Sequence, residues 1–263
     1  MIDSNVLVLV DTPVVCKETV GVGCLLQRGM EEIELVPSSE GSDQRARILA
    51  AKLSLPHQGF VLGRPRLKKY IEPVRRGGVV ALVAGPGYGK TAFLVDVLRS
   101  SQGRSVYFSL DEDDRDPARF LTYLKAGLAL EGIEVAGQEQ TRWPVEDTTE
   151  FSVAELTADL MEGISAASGT PTVLAIDDFH LVDTSSHVRH AMTLIGRGLP
   201  PGWTLLIASR RPLPLDLESI QLGGRLVTLD ARRLRLAPGE VTAWASQNWG
   251  IALEAPRRES CGA

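Results

Sequence analysis

From residue 78 onward, short uninterrupted apolar runs alternate with longer stretches in which apolar residues recur at helical spacing. The runs at 78–84, 106–109, 172–176 and 204–208 predict strands, and the stretches beginning at Lys90, Pro117 and Val153, with one near His187, predict helices. Alternation of the two kinds is the pattern of a parallel sheet with helices on both faces. Strands that are apolar at nearly every position are those covered on both sides. The expected fold class is α/β, a three-layer αβα sandwich around a mostly parallel sheet, and no internal repeat interrupts it.

The first part of the chain does not share this rhythm. β-branched runs at 5–10, 19–22 and 33–36 predict a few short strands, the polar stretch from Pro37 predicts a loop, and 45–53 reads as a short helix. A boundary near residue 58 is expected, giving an N-terminal extension at 1–58, the α/β domain at 59–250, and a polar tail at 251–263.

The candidate chemistry sits at two strand ends. Ala84-Gly85-Pro86-Gly87-Tyr88-Gly89-Lys90-Thr91 is a Walker A loop with Ala in the first position, and it stands between an apolar strand and a helix, as the motif requires. Gly85, Gly87 and Gly89 let the backbone turn its N–H groups inward, so the loop and the positive end of the helix make an anion nest. Lys90 is expected to reach the β- and γ-phosphates and the Thr91 hydroxyl to ligate Mg²⁺. A glycine-rich turn arising by chance is the competing reading, and the flanking strand and helix weigh against it.

The run Thr172-Val173-Leu174-Ala175-Ile176 ends in Asp177-Asp178, a Walker B pattern at the carboxyl edge of a buried strand, where ligands bind in open α/β sheets. Asp177 is expected to hold Mg²⁺ through its hydration shell, since magnesium uses few protein carboxylates. Asp178 is the candidate to orient or deprotonate the attacking water. Paired acids also cap helices or face solvent; the phosphate loop upstream favours the metal-and-water reading. The run 204–208 ends in Ser209-Arg210-Arg211, where Arg210, ahead of Arg211, is the candidate to sense the γ-phosphate; a plain surface arginine pair is the alternative.

Composition narrows the field further. With 44% hydrophobic and 23% charged residues the chain is ordinary for a globular protein, and its formal charge of −5 supplies no general field for a phosphate backbone. Direct DNA binding by this chain is not expected. Three widely spaced cysteines form no zinc pattern and read as reduced thiols. The four histidines match no metal spacing, and the four tryptophans read as core or interface fillers. No run approaches the roughly 18–20 apolar residues that cross a bilayer, and the run at 6–10 is too short for a signal peptide, so a cytoplasmic location without membrane contact is expected.

The segment Ser109-Leu110-Asp111-Glu112-Asp113-Asp114-Arg115-Asp116-Pro117-Ala118-Arg119-Phe120-Leu121-Thr122-Tyr123-Leu124 resembles the stretch after the second strand in MalT-like, ATP-dependent LuxR-type transcriptional regulators, which belong to the STAND class of P-loop NTPases. The Walker A string with Tyr88, the string Ile176-Asp177-Asp178-Phe179-His180-Leu181, Ala208-Ser209-Arg210 and Gly63-Arg64-Pro65-Arg66-Leu67 fit the same family in order. The resemblance implies a P-loop NTPase with Gly63 and Arg64 on the adenine side of the nucleotide, and Gly85, Pro86, Gly87, Tyr88, Gly89, Lys90, Thr91 and Ala92 around the phosphates. It implies ATP and ADP as the ligands, and a slow ATPase that works as a switch between a closed ADP form and a self-associating ATP form. Partners are then ATP and a second copy or a regulator protein. The resemblance implies a sequence truncated before the helical repeats and DNA-binding domain that family members carry, and the chain reads Ile220-Gln221-Leu222-Gly223-Gly224-Arg225 where they have a leucine–arginine string. An AAA+-type ATPase and a nucleotide-binding remnant without signalling output are the other readings.

Overall fold

The computed structural model describes residues 50–56, 61–74, 76–135 and 150–250; all of them belong to the larger of two units into which the chain divides, Glu40–Ala263. The strand-like runs before residue 40, Cys16, Cys24, Cys261, His57, Trp143 and the polar tail lie outside the described residues.

Five strands form one sheet: β1 (Gly78–Val83), β2 (Arg104–Ser109), β3 (Thr172–Asp177), β4 (Trp203–Ser209) and β5 (Leu226–Asp230). Their order is β2-β3-β4-β1-β5 and every pair is parallel. A parallel pair cannot be closed by a hairpin, so successive strands are joined by crossovers. α1 (Pro65–Lys68) precedes β1, and the crossovers contain α2 (Lys90–Arg99); α3 (Pro117–Leu130) and α4 (Glu150–Ala166); α5 (Ser186–Gly198); and α6 (Glu218–Leu222). After β5 come α7 (Ala231–Leu234) and α8 (Pro238–Trp249).

The period-two alternation of strand side chains sorts the core into two layers. Leu174 and Ile176 of β3 and Leu205 and Ile207 of β4 meet α3, α4 and α5 through Phe120, Leu124, Leu160, Ile164, Met192 and Ile195. Val173 and Ala175, with Val80, Leu82 and Leu206, meet α1 and α2 through Leu67, Phe93, Leu94 and Val97. The expected three-layer α/β fold is therefore present. Phe108 stacks on Phe120 with ring centroids 5.7 Å apart, tying β2 to α3.

Three segments depart from the sequence expectation. β2 begins at Arg104, because Arg104 and Ser105 pair with Thr172 and Val173 although their side chains are polar. β5 was not predicted: it is a five-residue edge strand with only Leu229 buried, so it lacks an apolar run. Residues Lys52, Leu53 and Leu55, which precede the boundary near 58, pack against the α/β domain, Lys52 with its ammonium 2.5 Å from Asp114 and Leu53 and Leu55 against the two core layers.

Candidate nucleotide site

Parallel strands end on one edge, and the order of this sheet brings the ends of β1, β3 and β4 side by side there. Ala84 N donates to Ser209 O at 3.2 Å, so the loop leaving β1 starts against the end of β4. Gly87 and Gly89 take φ values of 80° and 70°, a left-handed conformation costly to other residues. A Cβ at Gly87 would meet no atom within 4 Å, so backbone conformation, not space, requires glycine there. Gly85 does not take a left-handed conformation. Gly89 then serves as N-cap of α2, whose first turn carries Lys90 and Thr91.

Lys90 is buried, and its Nζ donates to Ala84 O at 2.7 Å and Gly85 O at 2.8 Å, lying across the loop. Burial pushes its ammonium below the usual lysine range, against the opposing pull of Asp177 and Asp178. The Thr91 hydroxyl donates to Asp177 Oδ2 at 2.6 Å, which joins the head of α2 to the end of β3. Asp177 also accepts from Tyr107 Oη at 3.3 Å and from Asp178 N at 2.9 Å. Burial raises the Asp177 carboxyl above its ordinary value; hydrogen bonds from Thr91, Asp178 N and Tyr107 oppose this. Burial likewise raises the Tyr107 phenol, with the Asp177 charge adding to it.

A bound cation reverses the logic that holds such a carboxyl up. Among the described residues no group of three or more His, Cys, Asp or Glu gathers as for a metal cage. The pair Thr91 and Asp177 is the small donor set that magnesium, keeping most of its waters, takes from a protein, so the residues present fit that ion.

Asp178 has φ 56° and ψ 35°, the one non-glycine residue with positive φ among those described. It leads into a 3-10 turn, Phe179–Leu181. The His180 side chain is 10% exposed, with Nδ1 3.7 Å from Asp178 Oδ1. Burial pushes the imidazole below its ordinary value although Asp178 pulls the other way. No metal spacing marks this histidine in the sequence, and its place beside Asp178 comes from the turn that joins them. Arg210 is exposed and makes no hydrogen bond or ion pair among the described residues, but its charge reaches both Lys90 and His180. Arg211 is engaged elsewhere, with His180 O at 2.7 Å and Asp183 Oδ1 at 2.9 Å.

Beside the loop opens a cavity of about 670 Å³. Pro86, Gly87, Tyr88, Gly89 and Ala92 form one wall; Leu62 and Arg64 form another; Leu234, Leu236, Val241 and Trp244 close it from the region of α7 and α8. Its lining is predominantly apolar, with the glycine loop at one end, the layout common to small-molecule clefts. Gly63 stands next to this wall, where Arg64 N donates to Asp96 Oδ2 at 3.1 Å and fixes the segment on α2. The Arg64 guanidinium is 3% exposed; it donates to Leu234 O, to Arg235 O at 3.3 Å, and lies 3.6 Å from Glu240. Arg64 thus holds the far wall in place. Trp244, expected as filler, belongs to that wall, a role only the tertiary packing of α8 reveals.

No family model matches the chain. The resemblance read from the motifs is borne out among curated proteins. The HTH-type transcriptional regulator MalT of Yersinia enterocolitica serotype O:8 / biotype 1B is 29% identical over 210 residues, 79% of this chain and 22% of that protein. MalT of Cronobacter sakazakii is 31% identical over 157 residues, 59% of this chain and 17% of that protein. The chain therefore spans about a fifth of the length of these relatives. Among solved structures, a Signal Transduction ATPase with Numerous Domains (STAND) protein with a tetratricopeptide repeat sensor from Pyrococcus horikoshii aligns with a TM-score of 0.45 at 16% identity, over 76% of this chain and 27% of that one. The FIGL-1 AAA domain in complex with ADP aligns with a TM-score of 0.42 at 14% identity, over 81% of this chain and 68% of that one.

Proposed function

We propose that this domain binds ATP with Mg²⁺ and hydrolyses it slowly, as the nucleotide switch of a MalT-like regulator. The observation that carries the proposal is the Thr91–Asp177 hydrogen bond, which joins the phosphate loop to the Walker B strand with Lys90 and Asp178 at the same sheet edge.

In this reading the backbone of Gly85 to Gly89 and the first turn of α2 receive the phosphates, and Lys90 leaves the carbonyls of Ala84 and Gly85 for the β- and γ-oxygens. Mg²⁺, when bound, supplies the positive charge that neutralises those oxygens, with Thr91 and Asp177 as its protein anchors. Asp178 accepts a hydrogen bond from the attacking water and aims it in line with the leaving oxygen. His180, its imidazole pushed below the ordinary value by burial, packs beside that carboxylate with Nδ1 3.7 Å from Asp178 Oδ1. Arg210, free of protein partners among the described residues, is the side chain available to meet charge developing on the γ-phosphate. The base lies between Arg64, Leu236 and Trp244, so the far wall, built from the segment after β5, closes on the nucleotide. A switch follows if that wall binds ATP and ADP differently. Calorimetric titration of the purified chain with ATP, ADP and GTP in Mg²⁺ tests this: adenine nucleotides are expected to bind, and the absence of any binding contradicts the proposal.

A further inference from the structure

The turn that carries Asp178 is gripped from both sides. It is short and internally closed, with Leu181 N donating to Asp178 O at 2.9 Å and Val182 N to Phe179 O at 3.1 Å. Two successive carbonyls of the turn accept from arginines on neighbouring segments. Arg211, just past β4, donates through Nη2 to His180 O at 2.7 Å. Arg115, in the turn after β2, donates through Nε to Leu181 O at 2.8 Å. Since β2 and β4 flank β3, the two side chains reach the turn from opposite directions.

Each arginine stands on a fixed base. Arg211 also pairs with Asp183 at 2.9 Å, and its backbone is closed on Ser209, whose hydroxyl donates to Arg211 O at 2.7 Å. Arg115 ends the 3-10 turn Glu112–Arg115, which has a capping box between Asp111 and Asp114. Asp114 is fully buried and is held by Lys52 at 2.5 Å and by Arg119 Nε at 3.2 Å. Asp178, meanwhile, occupies a backbone region that non-glycine residues populate sparsely and that persists only where the surroundings over-determine it.

We propose that Arg115 and Arg211 are positioning residues for hydrolysis: clamping His180 O and Leu181 O, they keep the Asp178 backbone left-handed and so fix where its carboxylate meets the attacking water. This rests on the reading of Asp178 as the carboxylate that orients that water. It also separates the two arginines at the end of β4, Arg211 serving the turn and Arg210 remaining free for the phosphate. Both clamp donors act through backbone carbonyls, and a small displacement of a catalytic group costs a large factor in rate.

The test uses the full chain with R115M, R211M, the double variant, and R115K/R211K, measuring kcat, KM for ATP and amide exchange of residues 178–183. Each single variant is expected to lose about fivefold in kcat and the double about thirtyfold or more, with KM within about twofold of wild type. Exchange at Leu181 and Val182 should speed up in the double variant while β3 stays protected, and the lysine pair, still able to donate to carbonyls, should recover part of kcat. A double variant with wild-type kcat, or with KM and β3 protection lost alongside kcat, overturns the clamp. A wild-type chain that binds ATP without any turnover removes the Asp178 assignment and the positioning role with it.

Discussion

The Thr91 hydroxyl donates to Asp177 Oδ2 at 2.6 Å, linking a residue of the first helical turn after the phosphate loop to the last residue of a strand two positions away in the sheet. Because Asp177 keeps the bonds from Tyr107 and Asp178 N when this one is removed, Thr91→Ala should leave the fold intact. The expected outcome is an ATP affinity lower by about tenfold to a hundredfold in Mg²⁺, with a much smaller change in EDTA. Paired calorimetric titrations with and without the ion read the difference.

Trp244 lines the cavity opposite the phosphate loop. Stacking of a base on an aromatic ring contributes roughly 1–3 kcal/mol, so Trp244→Ala should weaken ATP and ADP by about fivefold to a hundredfold. Inorganic triphosphate, which has no base, should bind the variant and the wild type alike. Equal weakening of both ligands would show that Trp244 acts on the phosphate end or on the fold.

The far wall should loosen in acid. Burial pushes the Glu240 carboxyl up, but hydrogen bonds from Arg66 and Ala237 N and the charges of Arg64 and Arg66 win, and its pKa lies below the ordinary 4.5. A depressed carboxyl contributes stability that is present above the unfolded value and lost as pH falls through the folded one. Glu240→Gln should therefore cost about 1–2 kcal/mol at pH 7, a deficit that closes as pH falls below about 4. Urea unfolding of both proteins across that range gives the comparison.

Lys52 and Asp114 form the most buried ion pair described outside the nucleotide site, at 9% and 0% side-chain exposure. Breaking such a pair from one side costs about 3–5 kcal/mol, and because Arg119 remains beside Asp114 the loss for Lys52→Met is expected near the lower end. Burial already raises the Asp114 carboxyl, in spite of the lysine. Without Lys52 the acid should take up a proton more readily, so the deficit should be largest near neutral pH and shrink as pH falls toward the folded acid's pKa, which lies above the ordinary 3.8. Thermal unfolding at pH 4.5 and pH 7.5 separates the two regimes.

How much of this was legible beforehand depended on how local each constraint is. The phosphate loop is written in consecutive residues, because Gly87 and Gly89 answer to their own backbone angles and Lys90 and Thr91 to the helix they open. β1, β3 and β4 were visible because central strands of a parallel sheet are apolar on both faces. β5 was not, since an edge strand with one buried residue carries no such run. The roles of Arg64 and Trp244 arise only when α8 folds back over the loop, and those of Arg115 and Arg211 only when β2 and β4 flank β3. Contacts separated by 66 residues, like that of Arg115 with Leu181, leave no periodic trace. Asp178 stands out in the sequence through its place after β3, whereas its left-handed backbone does not, because Asp visits that region more often than most residues yet in only a minority of cases.

Nucleotide binding and turnover by the purified chain, compared with Lys90→Ala and Asp178→Asn in the presence of Mg²⁺, bear most directly on the central claim. The expected result is that wild type binds ATP and hydrolyses it slowly, Lys90→Ala loses binding by at least about a hundredfold, and Asp178→Asn binds as wild type does while its turnover falls by about a hundredfold or more. Turnover by Asp178→Asn at the wild-type rate, or failure of the wild-type chain to bind ATP at all, would contradict it.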